Sequence, residues 1–255
     1  LIQKDRNTDL IHISYSTPKT QSRVYLYNLK TKEKKLVKEQ IIPSGHSPNN
    51  YIVERLECES HDGRKIPITI IRNKKTKIDG NAKLLLYGYG SYGNSMSPSF
   101  SSSKFSLIDR DVIWVTAHIR GGLERGMKWW KEGKLLNKKN TFKDYISVAK
   151  FLIEKKYSSK GKIIGMGGSA GGLLMGAVVN QSPELFLGII MAVPFVDSLT
   201  TNLDHSLPLT VVEFDEFGNA KDNKEHFDYI YSYAPYNNIK RMDYPNMLIT
   251  TSLSD

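Results

Sequence analysis

One stretch constrains the fold more than any other: KIIGMGGSAGGLLMGAVVNQ, residues 162–181. A short apolar run, Lys162 to Met166, enters a glycine-dense turn, and Leu173, Leu174, Met175 and Val178 follow at helical spacing. The turn reads Gly167-Gly168-Ser169-Ala170-Gly171, a G-x-S-x-G pattern in the strand–turn–helix context that a nucleophile elbow requires. Glycines beside the serine let strand and helix approach without side-chain clash. Such a turn lifts the Ser169 hydroxyl above the sheet and aims the Ala170 N–H where an oxyanion would form. The competing reading is a phosphate-binding or merely packed turn. Neither G-x-G-x-x-G spacing nor G-K-[ST] is present to support it.

The rest of the chain agrees with an α/β fold. Compact apolar runs of the buried-strand kind recur in KLLLYG, DVIWVTAH, KIIGMG, LGIIMAVP and PNMLITT. Between them TFKDYISVAKFLIEKK places Phe142, Tyr145, Ile146, Ala149, Leu152 and Ile153 at intervals of three and four, and Thr141 with Asp144 resembles a capping box. Alternating strands and helices predict a mostly parallel sheet covered on both faces, the α/β-hydrolase fold. YIVERLECES and RKIPITIIRN read as an antiparallel hairpin joined at His61-Asp62-Gly63. Residues 1–45 differ, with short alternating β segments too few to stand alone, so the expected division is 1–45 and 46–255.

Composition narrows the function classes. The net charge is +10, but the lysines are scattered through loops and helix ends rather than gathered into a stripe with stacking aromatics, which argues against a nucleic-acid partner. No apolar run reaches bilayer length, and LIQKDRNTDL lacks a signal-peptide core, so no membrane partner is expected. The single cysteine, Cys58, suits a reducing cytoplasm and is expected to be buried and inert. No cofactor or metal is implied, because no His/Cys/Asp cluster has ligand spacing and no glycine loop has nucleotide form.

The motifs around the turn resemble the prolyl oligopeptidase family of serine peptidases, and within it the oligopeptidase B branch. The resemblance is carried by YGYGSYG at 87–93, HIRGGLERGMKWWKEGKLLNKKNTFKDY at 118–145, GGSAGGLLMGAVVNQSPELF at 167–186 and VPFVDSLTTNLDHSLPLTVVEFDEFGN at 193–219. YSYAPYNNI at 231–239 and YPNMLITTSLSD at 244–255 continue it. It implies that residues 1–45 are the last strands of a β-propeller. It also implies that Ser169 is the acylating nucleophile and Tyr89 a side-chain oxyanion donor beside the Ala170 N–H. Glu213 and Asp215 become the acidic pair for a basic P1 side chain, and Tyr92 and Arg120 substrate-binding residues. Asp255 becomes the triad acid. Alternatives remain open: Tyr87 and Tyr89 could both be packing residues, and an acidic loop is commonly just solvated. In extended chain, carboxylates at i and i+2 would share a face and could grip a guanidinium.

Two departures stand out. The histidines, His12, His46, His61, His118, His205 and His226, all precede Asp255, and none matches the family's base. The expectation is therefore a chain truncated at both ends, poorly active alone, with a possible complementing C-terminal chain. In addition, Ser97 and Ser99 stand where the branch carries acids for a basic P2 residue. Three functions fit: an oligopeptidase cleaving short peptides after Lys or Arg, an esterase-like hydrolase, and an inactive or partner-dependent fragment. An acyl-chain pocket would not want two carboxylates, which favours the first over the second.

Overall fold

A computed structural model describes residues 7–253. It opens with a three-stranded antiparallel sheet, β1 (Leu10–Thr17), β2 (Thr20–Asn28) and β3 (Lys34–Glu39). Thr17-Pro18 forms the first turn, with Thr17 opposite Thr20, and proline sits there because it cannot donate to a ladder. This sheet buries little of itself, and β3 is exposed along its whole length. It is tied on by Lys19, whose Nζ donates to the Tyr51 carbonyl at 3.2 Å and whose own carbonyl meets His46 Nε2 at 2.8 Å.

The remaining strands make one seven-stranded sheet. They are β4 (Tyr51–Glu59), β5 (Lys65–Asn73), β6 (Leu84–Tyr87), β7 (Ile113–Ala117), β8 (Ile163–Gly168), β9 (Phe186–Ala192) and β10 (Asn246–Thr250), in spatial order β10-β9-β8-β6-β7-β5-β4. The predicted hairpin is β4–β5, antiparallel; β5 also runs antiparallel to β7, and every other pairing is parallel. All five apolar runs read from the sequence became strands of this sheet, because each carries apolar side chains to both faces. Leu85, Trp114 and Ile71 point to one face, where α1 (Ser102–Ile108) brings Phe105 and Ile108. Leu84, Leu86, Ile113 and Val115 point to the other. There α3 (Lys139–Glu154) and α4 (Ala170–Gln181) cover them.

Helix α4 is buried from Ala170 to Val179, all round, as an apolar helix between sheet and neighbour must be. In α3 the expected stripe is present, with Phe142, Tyr145, Ala149 and Leu152 all at 0% exposure. The expected capping box is not. The helix starts at Lys139, so Thr141 and Asp144 lie inside it and their side chains serve tertiary contacts instead. Short helices complete the chain: α2 (Met127–Lys131), α5 (Ser198–Leu203), α6 (Phe214–Phe217) and α7 (Lys224–Tyr231). Cys58 is buried as expected, and burial pushes its thiol up to about 12, where it is unreactive.

The chain reverses direction across the sheet between β6 and β8. From β6 it crosses to β7 on one side, then returns past β6 to β8 and moves on to β9 and β10. Tyr87 of β6 lies opposite Met166 of β8, so the carboxyl ends of these two strands, and the loops leaving them, are neighbours. Open α/β sheets bind their ligands in the crevice at such a switch point.

Candidate active site

Ser169 leaves β8 at that crevice with φ 54° and ψ −120°, a conformation that side-chain-bearing residues avoid. It is exposed, while Gly167 and Ala170 on either side are buried. Its backbone is held on three sides: its N–H donates to Ala192 O at 2.9 Å, and its carbonyl accepts from Gly172 N and Phe195 N at 2.7 and 3.1 Å. The turn needs Gly167, because a Cβ there would overlap the Gly171 carbonyl. Ala170 is the first residue of α4, so its N–H has no acceptor within the helix and sits at the positive end of the helix dipole.

The loop leaving β6 delivers Tyr89. Gly171 lets it approach: a Cβ on Gly171 would stand 3.0 Å from Gly88 O and 3.3 Å from the Tyr89 ring. The Tyr89 hydroxyl has Asn94 and Ser169 as hydrogen-bonding neighbours, which pull its pKa down; partial burial outweighs them and keeps the phenol protonated, hence a donor. Tyr89 and Ser169 are therefore brought together, whereas Tyr87 contributes to the packing around Leu85 and Trp114.

This loop is pinned where three backbones meet. A Cβ on Gly121 would overlap Gly90 O, and one on Gly133 would overlap Gly121 N. Arg120 lies at this junction at 1% exposure. Its guanidinium binds Asp144 (Nε–Oδ2 2.8 Å, NH2–Oδ1 2.6 Å) and Asp62 (NH1–Oδ2 2.6 Å). That corrects its expected contact with substrate: every carboxylate-facing edge of the fork is spent inside the protein. The Thr141 hydroxyl, freed from capping, donates to Arg120 O at 2.9 Å.

The acidic segment is also arranged differently from expectation. Glu213 is the N-cap of α6 with helical dihedrals, so Glu213 and Asp215 diverge rather than share an extended face. Glu213 turns inward and accepts from Tyr92 Oη at 2.7 Å; burial holds its carboxyl above the ordinary range. Asp215 turns outward, 74% exposed, and pairs with Lys134 Nζ at 2.8 Å. Tyr92 therefore does reach the acidic segment, through Glu213. Ring contacts continue from Tyr92 to Phe217 (5.7 Å) and from Phe217 to Phe195 (5.5 Å), whose N–H holds Ser169 O.

Sequence reasoning missed three members of this assembly. Glu216, 3% exposed, accepts from Trp130 Nε1 at 2.8 Å, and Lys138, 1% exposed, lies 3.4 Å from it. Phe217, 3% exposed, ends α6 and joins them through its ring. A buried acid within EFDEF and a buried base within NKKN carry no sequence signal, since nothing in the letters separates them from the less buried Glu213, Asp215 and Lys139 beside them. Asp255, expected as the triad acid, lies outside the described residues. Among the described residues, no hydrogen bond or ring contact joins a histidine to Ser169. His46 and His61 meet Lys19 O and Ser60, His118 Nε2 meets Arg55 and Thr69, and His226 Nδ1 accepts from Asn219 N. His205 packs on Phe214, and His12 is in β1.

Known proteins resemble this arrangement. The profile of the Prolyl oligopeptidase family matches residues 98–255. A dipeptidyl aminopeptidase BI from Pseudoxanthomonas mexicana is 46% identical over 98% of the chain and 35% of its own length. Protease 2 from Moraxella lacunata is 41% identical over 100% of the chain and 37% of its own. The structure of oligopeptidase B from Leishmania major superposes with a TM-score of 0.88 at 38% identity, covering 96% of this chain and 34% of that one. Oligopeptidase B from Trypanosoma brucei with covalently bound antipain gives 0.88 and 38%, over 96% and 35%. Coverage this complete takes in β1–β3, which resemble propeller strands. The chain spans about a third of the length of these relatives.

Proposed function

The chain belongs to the prolyl oligopeptidase family, and we propose that it supplies the nucleophile, oxyanion hole and specificity surface of a serine oligopeptidase. The carrying observation is Ser169 at φ 54° on its turn, with the Tyr89 hydroxyl beside it. Ser169 Oγ attacks the scissile carbonyl carbon and its proton passes to a base. The carbonyl oxygen becomes an oxyanion, held by the Tyr89 hydroxyl and the Ala170 N–H. Collapse expels the amine, which takes the proton, and leaves an acyl ester on Ser169 that water then hydrolyses.

The base in this reading is an imidazole brought by a complementing segment or chain, oriented by Asp255. A serine lacking its base keeps only what binding and the oxyanion hole provide. For the substrate we propose short peptides with Lys or Arg at P1. Glu213, facing inward beside Tyr92, meets the cation, and Asp215 joins by exchanging its exposed bond to Lys134. Ser97 and Ser99 supply no charge for a second basic residue.

The test, with the complementing histidine-bearing segment supplied, is phosphonylation by a neutral fluorophosphonate, with Ser169→Ala as control, followed by arginyl and short-chain esters in the same preparation. Labelling of Ser169 and preference for the arginyl ester are expected. Preference for the short-chain ester would make the protein an esterase-like hydrolase. With the site completed, cleavage after Arg-Arg is expected to be no faster than after Gly-Arg.

A further inference from the structure

Lys138 immediately precedes α3 and is among the largest side chains fully withdrawn from solvent. Its ammonium donates to Gly90 O at 2.7 Å and Ser91 Oγ at 2.5 Å, and reaches Glu216 Oε1 at 3.4 Å. Three N–H donors thus meet three acceptors, and the group's whole capacity is used. The acceptors come from two functional segments. Gly90 and Ser91 directly follow Tyr89, whereas Glu216 lies in α6 with Asp215 and next to the Glu213 cap.

We propose that Lys138 is a positioning residue that locks the Tyr89 turn to the acidic α6 segment, so that oxyanion donor and cation-binding carboxylates move as one body. An apolar side chain of similar volume would fill the same space without the cost of burying a charge, so packing alone does not call for an ammonium here. What the ammonium adds is a directional bond to each side. Its charge is held only narrowly: burial lowers its pKa to about 8, and Glu216 opposes that fall. Glu216 is the one charged group touching it among the described residues, the other neighbours being the Ser91 hydroxyl, the Gly90 carbonyl and the Phe217 ring. Glu213, Tyr92 and Tyr233 lie within electrostatic reach of Glu216 on its other sides. The functional meaning of the lock rests on the serine-peptidase reading; the mechanical link does not.

Two measurements separate these. Hydrogen exchange on the chain itself reads the link: Lys138→Met and Glu216→Gln should each speed exchange at both 88–93 and 213–217 by about tenfold or more while β8 and α4 stay protected. The double variant should add little to either single one. Loosening of one segment only, additive effects, or loosening that spreads through β8 and α4 would each overturn the proposal. Should Lys138→Met fail to fold, Glu216→Gln, which keeps the volume, decides by the same criteria. The second measurement is the pH profile of Ser169 phosphonylation with the complementing histidine-bearing segment supplied. The wild type should lose rate as pH rises through about 8, Glu216→Gln should move that limb lower, and Lys138→Met should lack it. A limb unmoved in Glu216→Gln overturns the lock. A wild type that is never phosphonylated counts against the serine-peptidase reading, and the exchange data still decide the lock.

Discussion

Tyr89 and Glu213 are single side chains whose protonation decides what each can do. Tyr89 stays a phenol because burial outweighs its hydrogen bonds, so it has a proton to offer a developing oxyanion. Tyr89→Phe should slow acylation of Ser169 by about 100- to 1000-fold while leaving the melting temperature nearly unchanged, as stopped-flow kinetics and calorimetry would register. Glu213 has the opposite problem, since burial raises its carboxyl. Between its ordinary and its raised value the folded protein holds a proton that the unfolded chain has released, so ionising Glu213 costs stability as pH rises through that window. A bound guanidinium recovers that cost. Affinity for benzamidine, followed by calorimetry, should therefore strengthen as pH climbs through the Glu213 titration and flatten in Glu213→Gln. A pH-independent affinity in the wild type would contradict this account.

Secondary-structure elements show why some of the site was readable and some was not. The elbow was legible because its chemistry demands local letters: an apolar strand, flanking glycines, then an apolar helix. Gly167→Ala should cost roughly 1–3 kcal/mol, since the added methyl overlaps the Gly171 carbonyl. That is a fall in melting temperature of about 2–4 °C per kcal/mol for a chain of this size. The Thr141–Asp144 pair misled because its spacing imitates a cap while its partner, Arg120, arrives from a distant strand end. The acidic pair misled because one turn of helix, too short to leave a periodicity, rotates Glu213 away from Asp215. Arg120 was beyond reach for a related reason: its carboxylates, Asp62 and Asp144, lie on different elements. Arg120→Ala strands Asp144, at 0% exposure, and should cost about 3–5 kcal/mol in denaturant unfolding.

Across the whole molecule the sheet ends on β10, whose five residues are all exposed, including Met247, Leu248 and Ile249. Among the described residues only β9 pairs with β10, so its other edge, with apolar side chains beside it, is a template for another strand. Leu248→Lys should reduce concentration-dependent self-association in sedimentation velocity, and an unchanged profile would clear β10 of that role. No helix among the described residues is long and apolar enough to cross a membrane. Beside Tyr89 the backbone is pinned by the close approach of Gly90, Gly121 and Gly133. In a saturation-mutagenesis map, these three scattered positions should share one permitted letter. Selection for soluble expression alone, with no substrate present, would already reveal it, because what they lack is volume.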